Sequence, residues 1–272
     1  MVRALNPALG SLLVWTSLAC AQRPSEADAT AMIEKTREKA LAYARSLPDF
    51  MCTETIRRYR EDKPSGGGRM LTAPAARWVS IDKLTVKLSF FQQREDHKLI
   101  KIDDKPTDRQ YGSLTGGIGA GEFGGTLQNI FDPAAETDFR WESWKNIRKH
   151  RIAVYAYRVE PAHSHYQVVT GTAEHTRQAF VGFHGNLEAD SETGELLHFT
   201  YVADRIPDEV KLDSVSTTVD YDFADVGGRK YLLPARSQTE IHSPQLSVRS
   251  DTNFREYGKF SSDSIITFGD GK

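Results

Sequence analysis

The chain has 272 residues, of which 39% are hydrophobic, 10% aromatic and 26% charged, and its 20 Gly and 11 Pro are close to ordinary usage. That length supports one large domain or two small ones around a real core, and the composition excludes global disorder, collagen and coiled coil. With 35 Lys and Arg against 37 Asp and Glu, the formal charge of -2 leaves no overall electrostatic footprint for nucleic acid or for an anionic membrane surface.

Residues 1–22 read MVRALNPALGSLLVWTSLACAQ. One cation, Arg3, precedes an uncharged apolar run from Ala8 to Leu18, which is too short to span a bilayer and suits the apolar region of a secretory signal. The expectation is export to the periplasm or envelope, with a leader over 1–21 and a single domain over 22–272. Ala19 and Ala21 fit cleavage after Ala21. Ser17-Leu18-Ala19-Cys20 also partly resembles a lipobox, and in that case Cys20 carries a lipid anchor. Either route leaves Cys52 as a lone cysteine. Within Phe50-Met51-Cys52-Thr53-Glu54-Thr55-Ile56 it reads as a small buried hydrophobe on a strand rather than a nucleophile.

Ser25 has an acid three residues on, and Ile33, Thr36, Ala40, Tyr43 and Leu47 recur at helical spacing, which predicts one helix over about 26–46, ended by Pro48. Beyond Pro48 the period becomes two. Leu84, Val86, Leu88 and Phe90 alternate with Thr85, Lys87 and Ser89, a strand with one buried face. A turn at 92–95 and a return strand over 97–102 follow, then a turn at 103–106. Further alternating runs cover 151–159, 165–170, 177–189, 195–203, 213–223, 230–241 and 245–257, with turn chemistry at Asp190–Gly194 and Val226-Gly227-Gly228. Strand follows strand with few helix-length inserts, so the fold class is α+β with a mostly antiparallel sheet.

One interruption breaks the series of strands. Residues 112–125 read GSLTGGIGAGEFGG, and Phe123, Leu127, Ile130 and Phe131 then recur at helical spacing, a glycine loop leading into a short amphipathic helix. Gly119-Ala120-Gly121-Glu122-Phe123-Gly124 formally matches G-x-G-x-x-G, but a polar segment precedes it and no βαβ unit surrounds it. It reads as a mobile loop or hinge, with Gly119 and Gly121 the lid positions of an apolar cavity. Leu88, Phe90, Phe123, Leu127, Phe131, Trp141 and Trp144 are the candidate lining residues. Aromatics so placed either line a concave sheet that takes a hydrophobic ligand or fill an ordinary β core.

No catalytic or metal motif is complete. His163-Ser164-His165 puts two imidazoles on one face of an extended segment with Glu160 near in sequence, yet spacing fixes no third ligand. No cofactor is called for. The absence of a G-x-S-x-G elbow lowers the expectation of an enzyme, although convergent triads can be invisible in sequence.

Asp190-Ser191-Glu192-Thr193-Gly194-Glu195-Leu196-Leu197 looks like the D-x-x-T-G-x-x-L hairpin of the periplasmic lipoprotein carriers and their relatives, the LolA/LolB-like and RseB-like half-barrels. Val219–Gly228 and Tyr231-Leu232-Leu233-Pro234 resemble the strand pair that follows it in that superfamily. The chain also resembles secreted bacterial proteins with a G-E-F-G segment. The likeness implies an open, strongly curved sheet whose concave face is covered by the N-terminal helix and the mid-chain helix and holds acyl chains. The function expected is a non-enzymatic envelope protein that binds a lipid or lipoprotein acyl chain. The alternatives are a structural or sensory module that contacts an envelope protein, and a hydrolase with a site near Glu160, His163 and His165.

Overall fold

The computed structural model describes residues 23–62, 77–114, 123–147, 149–172 and 175–260. Helix α1 spans Glu26–Ser46. Ser25 caps it, its Oγ accepting from the Asp28 N–H at 3.1 Å, and Pro48 stops it one residue past the Leu47 cap. Ile33, Thr36 and Ala40 form its buried stripe, opposite the exposed Glu34, Lys35, Glu38 and Lys39. A polar helix of this kind is held by that stripe more than by its intrinsic propensity.

The strands run β1 (Phe50–Glu61), β2 (Trp78–Phe91), β3 (Arg94–Ile102), β4 (Lys105–Pro106), β5 (Asp138–Ile147), β6 (His150–Val159), β7 (Gln167–Thr172), β8 (His175–Phe180), β9 (Gly182–Asp190), β10 (Leu196–Asp204), β11 (Ser214–Val226), β12 (Arg229–His242) and β13 (Ser247–Lys259). Eleven of them form one antiparallel sheet in the order β4-β3-β2-β1-β13-β12-β11-β10-β9-β6-β5, and β7 and β8 pair apart as a hairpin. The sheet is open, since its end strands β4 and β5 do not pair with each other. The fold class is thus α+β, an open half-barrel. A second helix, α2 (Gly125–Phe131), is inserted between β4 and β5 and packs against α1. Among the described residues, no helix is long and apolar enough to cross a membrane.

Two-residue turns set the tight hairpins: Gln92 and Gln93 both take positive φ, 50° and 61°, so β2 and β3 extend further into the turn than the sequence pattern implies. The run over 177–189 is not one strand. Val181 divides it into β8 and β9, which belong to different sheets. The aromatic stretch after α2 is strand β5, whose register slips between Trp141 and Ser143. That bulge puts Trp141 and Trp144 three apart and so hides the period of two.

The helix-bearing face holds the core. Ile33, Ala40, Leu127, Ile130 and Phe131 of the two helices meet Tyr155, Phe183, Leu187, Leu196, Phe199 and Val219 of the sheet. A neighbouring nest joins Leu47, Phe50, Cys52, Leu88, Phe90, Phe123, Leu233 and Phe254. On the same face, farther along the strands, the cross-strand row Asp82, Arg58, Ser250, Thr239, Thr217 is polar. Arg58 makes a two-pronged ion pair with Asp82 at 2.7 and 2.5 Å, and the hydroxyls of Thr217 and Thr239 bond at 3.0 Å.

Candidate functional site

The D-x-x-T-G turn anchors the helix over the sheet. The Asp190 carboxylate accepts from the backbone N–H groups of Glu192 and Thr193 at 2.8 and 2.9 Å, and Gly194 follows in the left-handed region at φ 76°. Burial would raise the Asp190 carboxyl, but those two N–H groups and the ring of His150 outweigh it and hold the carboxyl below its usual range. The turn presents the Glu192 carbonyl to the Lys35 ammonium, and a Cβ at Gly194 would press on Lys35 at 2.9 Å. Nearer the start of α1, the Tyr155 hydroxyl donates to the Ala29 carbonyl at 2.8 Å. The helix is therefore fixed at two points along its N-terminal half.

Its C-terminal half leaves a groove of ≈ 280 Å³ against β10, β11 and β12. Ala40, Tyr43, Leu127, Leu196, Tyr221 and Leu232 give it apolar walls, and Lys39, Glu195 and Lys230 lie at the same opening. Tyr43 meets Tyr221 edge to face at 6.0 Å. The Tyr43 hydroxyl is buried and has no hydrogen-bond partner among the described residues. Burial, with Glu95's charge added, pushes that phenol far above its ordinary range, so it stays a neutral donor at every working pH.

The proposed lining residues occupy several places. Leu88 pairs with Cys52 and Phe90 with Phe50 across β1 and β2, and the Phe50 and Phe90 rings stack at 5.1 Å. Phe123 plugs that nest, 5.3 Å from Phe50 and 5.5 Å from Phe254. Phe131 is buried beneath α1 and stacks on Phe139 at 5.5 Å. Trp141 and Trp144 stand half-buried on β5, with the Arg23 guanidinium over the first at 5.7 Å and that of Arg151 over the second at 3.7 Å. Leu127 lies on the groove. Gly119, Gly121 and Cys20 fall outside the described residues.

Glu160, His163 and His165 do not converge. Glu160 bonds Arg205 and His163 approaches Glu136 at 3.5 Å. His150, His184 and His198 each hold an aspartate of the neighbouring strand, Asp190, Asp204 and Asp220, at 2.7 Å. Among the described residues, no group of three His, Cys, Asp or Glu is placed to hold a metal ion. Cys52 is fully buried, and burial, reinforced by Glu54, pushes its thiol up out of the reactive range.

Sequence reasoning missed Tyr43, Tyr221 and Leu232 as groove residues. The signals were present: Tyr43 lies on the apolar stripe of the helix, and the other two lie in the segments that carry the carrier likeness.

No protein-family model matches the chain, and no relative is found among curated proteins. Similar solved structures include a LolA superfamily protein from Nitrosomonas europaea, 12% identical over 88% of this chain and 97% of that one with a TM-score of 0.33. Another is an outer membrane lipoprotein-sorting protein domain from Vibrio parahaemolyticus, 10% identical over 88% and 97% with a TM-score of 0.38. A third is a DUF1329 family protein from Desulfovibrio piger, 8% identical over 89% and 98% with a TM-score of 0.37. These are distant likenesses of layout, and the half-barrel described above stands on this chain's own strand order and register.

Proposed function

We propose that the chain is an exported, non-enzymatic envelope protein, one domain over 22–272 after loss of a leader, that binds a lipid or lipoprotein acyl chain between α1 and the helix-bearing face of its open sheet. The observation that supports this reading is the groove under the C-terminal half of α1: apolar walls, charged side chains at its mouth, and a wall residue, Tyr43, whose buried hydroxyl has no partner among the described residues. Apolar walls favour an aliphatic chain at about 25 cal/mol per Å² buried. The Tyr43 hydroxyl then gives the carboxyl or ester oxygen at the head of that chain a donor to meet.

Mass spectrometry of organic extracts from protein purified out of the envelope tests it. A lipid recovered in near-stoichiometric amount is the expected result, and Tyr43→Phe should retain a carboxylate-headed fluorescent probe less well than the wild type. Clean extracts together with no probe binding at micromolar concentration would overturn the reading. Intact mass then separates cleavage after Ala21 from acylation of Cys20.

A further inference from the structure

Net charge averages over a surface, and the register of this sheet gathers cations that the average conceals. On the face of the sheet away from the helices, Arg255, Thr53, Lys87 and Lys98 stand in one row across β13, β1, β2 and β3. The row crosses three inter-strand steps, about 14 Å. Lys87 and Lys98 are directly opposed, as are Arg57 and Lys83 in a second row, where Arg57 faces Asp251 on its other side, and Lys101 lies opposite Thr85 between the two rows. Like charges opposed across strands are destabilising, so the arrangement weakens the fold that carries it. Among the described residues, Arg57, Lys87, Lys98 and Arg255 make no ion pair. Lys83 is bridged to Asp104, within whose reach Lys101 also lies.

The lysines are not scattered over a flat surface. Lys87, Lys98 and Lys101 rim a groove of ≈ 360 Å³ floored by Met51 and Ile100, with hydroxyls from Thr53, Thr85 and Ser89. Two carboxylates share it: Asp96, and Glu256, which accepts from the Thr53 hydroxyl at 2.6 Å. An acidic protein would need ion pairs with the cations alone. A phospholipid headgroup uses more of the lining, since its phosphate meets the ammonium groups and the Thr85 and Ser89 hydroxyls, away from Glu256 and the Thr53 hydroxyl it holds, while its glycerol and first methylenes meet Met51 and Ile100.

We propose that this convex quadrant, β13-β1-β2-β3, docks on an anionic membrane surface, with phospholipid phosphates held by Lys87, Lys98 and Lys101. It lies on the opposite face of the sheet from the groove under α1 and does not depend on what that groove holds.

The test is co-sedimentation of the chain carrying Cys20→Ser, so that no acyl anchor contributes, with vesicles of phosphatidylcholine alone and of an equimolar mixture with phosphatidylglycerol. Binding to the anionic vesicles only, lost as NaCl rises from about 0.05 to about 0.5 M, is expected. Each cation at such a surface is worth about fivefold, so Lys87→Ala/Lys98→Ala/Lys101→Ala should weaken binding about 100-fold. Its melting temperature should hold or rise, because an opposed like-charge pair is gone. Arg177→Ala/Lys211→Ala, outside the quadrant, should bind as the wild type does. Equal binding to neutral vesicles, or an unchanged triple variant, overturns the proposal. So does capture of polyglutamate in place of vesicles, which points to an acidic protein, or release by millimolar inorganic phosphate, which points to a soluble anion.

Discussion

Removing one oxygen atom should make this protein more stable. The Tyr43 hydroxyl is buried between α1 and the sheet without a partner among the described residues. Leaving such a group unsatisfied costs about 1–3 kcal/mol, whereas the ring's own burial is unaffected by losing it. Tyr43→Phe should therefore raise stability by about 1 kcal/mol in the ligand-free protein, which for a chain of this size moves the melting temperature up by about 2–4 °C. Two tyrosines are the controls. The Tyr157 hydroxyl donates to the Thr200 carbonyl at 2.8 Å and that of Tyr257 to the Pro234 carbonyl at 2.6 Å. Tyr157→Phe and Tyr257→Phe each lose a bond and leave a carbonyl short, and should lower stability by about 0.5–1.5 kcal/mol. Circular dichroism melts of delipidated protein measure all three. A fall in melting temperature for Tyr43→Phe as large as for the controls would mean that its hydroxyl is bonded, and the polar end of the proposed lipid site would go with it.

Leu88 is fully buried and Thr85 lies on the opposite face of the same strand, so Leu88→Asp should cost more than about 3 kcal/mol while Thr85→Asp stays near neutral in urea unfolding. A Cβ at Gly185 would overlap the Thr200 carbonyl oxygen, both atoms being backbone-fixed; Gly185→Ala should cost about 2–3 kcal/mol, against roughly none for Gly112→Ala, which meets nothing within 4 Å. Asp190 is held below its usual carboxylate range in the fold, so the unfolded chain takes up its proton first. The stability it contributes is complete above about pH 4 and lost as pH falls further. Asp190→Asn should flatten that part of the stability-against-pH curve, and an unchanged curve would refute the assignment.

How far the sequence carried this fold depends on where side-chain chemistry and face agree. Along Leu84–Phe90 they agree at every position, so the strand and its buried face were legible from alternation alone. The helix was legible to the residue because its cap, stripe and stop coincide at Ser25, Ile33 to Leu47, and Pro48. Alternation placed β11, β12 and β13 but did not mark their buried face where it turns polar. Thr217, Ser237, Thr239, Ser250 and Thr252 are all buried, yet each reads as solvent-facing by composition. It failed again at bulges, which shift the phase by one residue, as between Trp141 and Ser143. The groove was illegible for another reason. Tyr43, Leu127, Leu196, Tyr221 and Leu232 come from five elements, and only the topology brings them together.

The size of that groove also bears on how a ligand would be held and released. At ≈ 280 Å³ it is just under the roughly 300 Å³ at which ligand sites begin, so a long acyl chain needs more room than it offers. The room comes most readily from the C-terminal half of α1, because the N-terminal half is tied down by Lys35 on the Glu192 carbonyl and by Tyr155 on Ala29, whereas the C-terminal half has one long bond, from the Gln93 side-chain amide to the Arg45 carbonyl at 3.5 Å. Ala40 is buried in that half, Leu41 and Tyr43 pack on the same core and Leu47 is buried just past the helix end, so lifting it exposes more apolar contact than the roughly 2–4 kcal/mol that Ala40 and Leu47 alone supply. An acyl chain that buries about 200 Å² in their place returns about 5 kcal/mol before its own ordering entropy is subtracted. The gain is thus of the same order as the contacts it displaces. If the proposed acyl ligand gains about what it displaces, it exchanges and is not stored, and a fluorescent acyl probe still fully retained after dilution would refute that balance.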